Sequence, residues 1–198
     1  MSVIKSAWEI ALEKTQDIHV NSEKIARNEK IQEGRKLAAA FLNDEEKTVE
    51  EVQKQVKTYK GQDKELIMKG LVTALLDNIS LPQTEGYKHG FQKVQELTMI
   101  IGDKKLSALV GQLGQFFDQY LAQIKQMTEK AKQQYQPRLE QKQEQLRAQY
   151  GDDIVLQPEQ DPDFLKMLNQ ALKQLDAQYG QAITQAKEEI RNSYDLDQ

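Results

Sequence analysis

Side chains able to do chemistry are few and scattered along this chain. There are two histidines, His19 and His89, and no cysteine. The lack of thiols excludes disulfides, thiolate nucleophiles and Cys-based zinc sites. Glu85 and His89 are four apart, a spacing that puts both on one helix face, but a metal ion needs further ligands. The Glu-x-x-His pattern of carboxylate di-metal bundles does not occur. Gly86 and Gly90 suggest a loop around His89. No Gly-x-Ser-x-Gly, P-loop or Gly-x-Gly-x-x-Gly stretch is present. Asp152–Asp153 follow a helix stop, and Glu188–Glu189 read as a solvated face, with no base converging on either pair. Gly111 and Gly114 sit inside a helical pattern and read as close-packing positions. No catalytic residue, metal ligand or cofactor site is predicted, and the chain is expected not to be an enzyme.

Two groups remain that could recognise a partner. Ile4, Trp8 and Leu12 share one face of a short amphipathic segment, and Trp is enriched at binding hot spots. The bland alternative is that they close over the protein's own core, because a helix of that length is marginal alone. Lys125, Lys130, Lys132, Arg138, Lys142 and Arg147 make a locally basic stretch that could meet an anionic partner. Glu129, Glu140 and Glu144 are interspersed, and aromatic residues for base stacking are missing. A mixed-charge solvated face, further interrupted by Gln, is therefore the favoured reading of the stretch.

These side chains need helices to position them. Of 198 residues, 31 are Asp or Glu and 27 Lys or Arg, and about one in seven is Gln. Gln, Glu, Lys, Leu and Ala lose little side-chain freedom in a helix. The compact exception is Ile154-Val155-Leu156, which could be extended. The net charge of -4 argues against a wholesale electrostatic grip on nucleic acid. No stretch of about 18 apolar residues exists to span a membrane. Met1–Leu12 lacks the continuous apolar run of a secretory signal, which suggests a cytoplasmic protein.

The apolar spacing predicts a first helix from Ser2 to about Gln16, a break at Asp17–Asn21, and a second helix to about Leu42. Asn43 with Glu46, or Thr48 with Glu51, offers a capping box for a third. Gly61 reads as its stop, and Asp63 as the cap of a fourth helix, which carries Leu66, Ile67, Gly70, Leu71, Ala74 and Leu75 at the centre of the core. Pro82 ends that helix, residues 83–90 read as a loop, and a fifth helix runs to a break at Gly102–Asp103.

From Leu106 the pattern sharpens. Leu106, Val110, Leu113, Phe117, Tyr120, Ile124, Met127 and Ala131 alternate spacings of four and three, an a/d seam. Leu109, Phe116 and Leu121 widen it. Tyr135, Leu139, Leu146 and Tyr150 continue it with a drift, and Pro137 suggests a kink. Gly151 stops the helix. Asp161 as N-cap with Pro162 at the first position restarts one, carrying Leu165, Leu168, Leu172, Leu175, Tyr179, Ala182 and Ala186. Pairing by distance from the turn sets Pro162–Ala171 beside Gln141–Tyr150, and Tyr179–Ile190 beside Phe117–Lys130.

The fold expected is thus all-α: an N-terminal amphipathic helix (1–20), a helical body (21–102), and a long antiparallel, coiled-coil-like hairpin (103–198) with its turn near 151–161, projecting from the body. An extended hairpin with no chemistry on it points to a non-enzymatic interaction, scaffold or assembly protein. Its partner would be another protein, or a second copy engaged through helices. The alternative is a nucleic-acid- or ribosome-associated factor using the basic residues of the arm.

Overall fold

The computed structural model describes residues 7–151 and 155–196, with side chains from residue 22 onward. Six α-helices follow in order: α1 (Ala7–Leu42), α2 (Val49–Val56), α3 (Gly61–Asp77), α4 (Tyr87–Ile101), α5 (Lys104–Tyr150) and α6 (Pro162–Ser193). No strand occurs among the described residues, so the protein is all-α. Val155 and Leu156 lie in irregular backbone; Ile154 is outside the described residues.

Several boundaries follow from capping chemistry. Thr48 and Glu51 form the reciprocal box at the start of α2: Glu51 N–H donates to Thr48 Oγ1 at 3.3 Å, and Thr48 N–H to Glu51 Oε2 at 3.0 Å. Gly102, at φ +80°, ends α4. Asp103 then caps α5, its Oδ1 accepting from the N–H groups of Lys105 at 2.8 Å and Leu106 at 3.3 Å. Asp161 caps α6 by accepting from Asp163 N–H at 3.0 Å, with Pro162 as the first helical residue.

Other boundaries differ from expectation. α1 runs unbroken through Asp17–Asn21. Asp, His, Asn and Ser in an otherwise good helix sequence each cost only a few tenths of a kcal/mol, about 0.5, and neither Gly nor Pro interrupts the chain there. Gly61 begins α3 instead of ending α2, at φ +53°, and the N-cap is Lys60 without a side-chain bond. Asp63 lies inside the first turn. α4 begins at Tyr87, so His89 and Gly90 are helical. α5 continues through Pro137, whose missing N–H leaves the carbonyl of Gln133 without that helical donor.

The chain forms two compact units. Unit 1 comprises Met1–Ile79, Gln92–Ser107 and Ile190–Gln198; unit 2 comprises Ser80–Phe91 and Ala108–Glu189. In unit 1, α1 packs on α3. Phe41, Val52, Ile67, Leu71, Leu75 and Leu97 are fully buried. Gly34 and Gly70 lie at the α1–α3 crossing. A Cβ on Gly70 would collide with the backbone of α1, against the carbonyl oxygen of Ile31, and with Arg35 N at 2.8 Å and Gly34 Cα at 2.9 Å. A Cβ on Gly34 would collide with the carbonyl oxygen of Ile67. Close helix packing is thus found at Gly34 and Gly70. Gly111, expected to serve it, has no atom within 4 Å of the position its Cβ would take.

Unit 2 is built on α5 and α6. Along the a/d seam Val110, Leu113, Phe117, Tyr120, Ala131, Tyr135 and Leu139 are buried. The helices run antiparallel: Tyr135 packs on Phe164 with ring centroids 5.5 Å apart, Tyr120 Oη donates to Asp176 at 2.7 Å, and Phe116 meets Tyr179 at 4.5 Å. The two helices therefore form a hairpin, but not in the register that distance from the turn suggests. Phe164 sits beside Tyr135, where the residues Gln141–Tyr150 were expected to be paired with the start of α6. The connector is not a tight turn. Its described residues, 155–161, lie back along the end of α5, and Leu156 joins the cluster of Ala131, Tyr135, Leu139 and Phe164. Tyr87, Phe91 and Phe117 stack edge to face on the same unit, with Phe91 and Phe117 centroids 5.1 Å apart.

Candidate functional site

A groove of about 280 Å³ lies between α5 and α6 in unit 2, lined by Leu109, Gln112, Leu113, Phe116, Ala182 and Ala186. The α5 residues recur at three and four, so they form one edge parallel to the helix axis. Ala182 and Ala186 are four apart on α6 and form the opposite, lower edge. Leu109, Phe116, Ala182 and Ala186 are each half-buried. Phe116 is held in place by its stacking on Tyr179. Leu109 and Phe116 are the residues that widen the seam in the sequence, so the signal for this surface was present there. Its depth needed the small residues on α6.

A second cluster closes the connector end of the hairpin. Asp161 is only 3% exposed. Its carboxylate accepts from Tyr135 Oη at 2.7 Å and from Lys142 Nζ at 2.8 Å. Lys142 Nζ also donates to Asp163 Oδ2 at 2.6 Å. Burial pushes the Asp161 carboxyl up, but the bonds from Lys142, Tyr135 and the Asp163 N–H outweigh it, and the group lies below the usual carboxylate range. Bonds to Asp161 and Asp163 raise Lys142. Nearby, Lys132 Nζ meets Glu159 Oε1 at 2.7 Å. These bonds hold a connector to a helix, and the cluster keeps its charges paired.

The anionic-partner residues therefore divide. Lys132 and Lys142 are engaged by carboxylates of the connector and of the start of α6, and Arg147 also has a partner. Lys125, Lys130 and Arg138 are exposed. Ile4 lies outside the described residues, and so do the side chains of Trp8 and Leu12, although both residues are on α1. Asp152 and Asp153 are outside the described residues as well. Glu188 and Glu189 are exposed on α6. No group of three His, Asp or Glu side chains among the described residues is placed to hold a metal ion. No helix among them is long and apolar enough to cross a membrane.

A recurring contact was not legible in the sequence: a tyrosine hydroxyl donating to a carboxylate on another segment. Tyr59 reaches Glu33 at 2.6 Å and Tyr194 reaches Asp103 at 2.7 Å in unit 1; Tyr87 reaches Asp118 at 3.0 Å in unit 2. Burial and these carboxylates push both Tyr87 and Tyr120 up to about 12. A raised folded-state value means the stabilisation is fully present below about pH 10 and is lost as pH rises through about 12. Phenolate absorbance during a base titration is expected to show these two tyrosines ionising well above the ordinary tyrosine value of about 10, together with loss of helicity. Ionisation at the ordinary tyrosine pH with the helices intact would contradict it.

Neither a curated protein nor a solved structure matches this chain. A family model does, over residues 53–192, a span covering α3 to α5, nearly all of α6 and the second half of α2. The chain belongs to that family, described as "Family of unknown function (DUF6657)".

Proposed function

We propose that this is a non-enzymatic interaction protein of the cytoplasm, which receives an amphipathic helix of a protein partner in the groove between α5 and α6. The groove itself carries the reading: two apolar edges run parallel to the helix axes, and Ala182 and Ala186 let a third helix approach closely. Helix-in-groove binding uses apolar anchors at three- and four-residue spacing, and the α5 edge has that spacing. The alternative, an anionic partner on the basic stretch of α5, is weakened because Lys132 and Lys142 already have carboxylate partners.

A photo-crosslinker at Gln112, with Ala182→Glu as the disabling variant, tests the proposal in cells that make the protein. The expected result is a crosslink to one helix of another protein, lost in Ala182→Glu while helicity is unchanged. A crosslink to a second copy would replace the partner by self-association. No crosslink, or one indifferent to Ala182→Glu, would overturn the groove as the binding site.

A further inference from the structure

The periodic seam of the hairpin does not by itself specify which turn of α6 faces which turn of α5. A/d patterns can pair in steps of a heptad, and a buried polar residue commonly selects one step. In the observed register Phe164 lies beside Tyr135. A register in which the connector is a simple turn would place α6's first residues beside Gln141–Tyr150, displaced along α5 by about two heptads, roughly 20 Å. Apolar residues that this longer register would bring together stand uncovered in the observed one: Tyr150 is 70% exposed and Leu165 41%. Leu146 is half-buried beside the connector.

We infer that Tyr135, Lys142 and Asp161 form a register lock, which holds the hairpin in its short register against a longer one encoded by the same seam. The three are joined only when Asp161 sits beside Tyr135, one heptad before Lys142 on α5. Sliding α6 outward would strip the buried Asp161 carboxylate of its Tyr135 and Lys142 donors, a cost no apolar seam residue imposes. The lock would also maintain the groove. In the longer register Ala182 and Ala186 leave Leu109 and Leu113, and the groove is dismantled. That consequence rests on the groove being the binding site; the lock itself does not.

The chain has no native cysteine, so spin labels can be placed at Gln145 and Gln170, both exposed. In the short register these positions are offset along the axis by roughly 25 Å, and in the longer one by roughly 5 Å. The wild-type chain is expected to show the long separation alone, and Lys142→Met to add a population at the short one. A helical Lys142→Met with only the wild-type separation would overturn the lock and leave the register to the far end of α6. Both populations in the wild type would overturn it too. If Lys142→Met loses its helices, Tyr135→Phe, which keeps the ion pair, is read for the same two outcomes. The measurement needs no partner, so its failure is separate from failure of the groove reading.

Discussion

Gly70→Ala is expected to destabilise the protein by about 3 kcal/mol or more, read as the shift in midpoint of chemical denaturation. Adding a methyl group to a packed interior costs about 1–3 kcal/mol when neighbouring side chains can give way. Here the three atoms nearest to the new Cβ all belong to the backbone of α1: the Ile31 carbonyl oxygen, Arg35 N and Gly34 Cα. Backbone inside a helix cannot rotate aside, so α1 and α3 must separate, and the apolar contacts around Ile67 and Leu71, both fully buried, loosen with them. Gly111→Ala is the matched control. It lies within α5 with open space around its Cβ position, and alanine there should stabilise by about 0.5–1 kcal/mol, because glycine loses more backbone freedom on folding. Equal effects from the two substitutions would mean that the crossing does not depend on the absence of a side chain at Gly70.

Asp161→Ala should be the second severe substitution, at about 3 kcal/mol. It removes the N-cap of α6, worth about 1 kcal/mol, and leaves the Tyr135 hydroxyl, on a residue only 2% exposed, without its carboxylate acceptor. The same carboxylate gives the hairpin an acid dependence. Its folded-state pKa is depressed, so its contribution is present above the ordinary carboxylate value of about 4 and is lost as pH falls through the lower folded value. Wild type should therefore lose stability on acidification more steeply than Asp161→Ala, with the two curves converging at low pH. Parallel curves would show that Asp161 is not charged and paired in the folded protein.

Where the sequence was legible, the signal was local. The Thr48–Glu51 box, the Gly102–Asp103 break and the Asp161–Pro162 start all appear in the structure, because a cap satisfies N–H groups within one turn of itself. The a/d seam was legible because burial follows the helical period whichever partner supplies the other side. Asp17–Asn21 was misread for a related reason: poor helix formers resemble a break when viewed alone, but a long helix absorbs them. Gly70 was seen as one member of an apolar face, and its meaning appears only when α1 lies against it. Similarly, Leu109 and Phe116 signalled a wider surface without showing that Ala182 and Ala186 would leave a groove there.

The amino-acid sequence alone determined that this protein is helical, where α2, α5 and α6 start, and which face of α5 is apolar. Propensity, capping and periodicity act over a few residues and need no partner. The tertiary structure decided the register of α5 on α6, the backbone contact at Gly34 and Gly70, and which lysines are held by carboxylates. A repeating apolar seam has near-equivalent ways to pair, and only contacts between residues far apart in the chain, such as Tyr135 with Asp161, distinguish them.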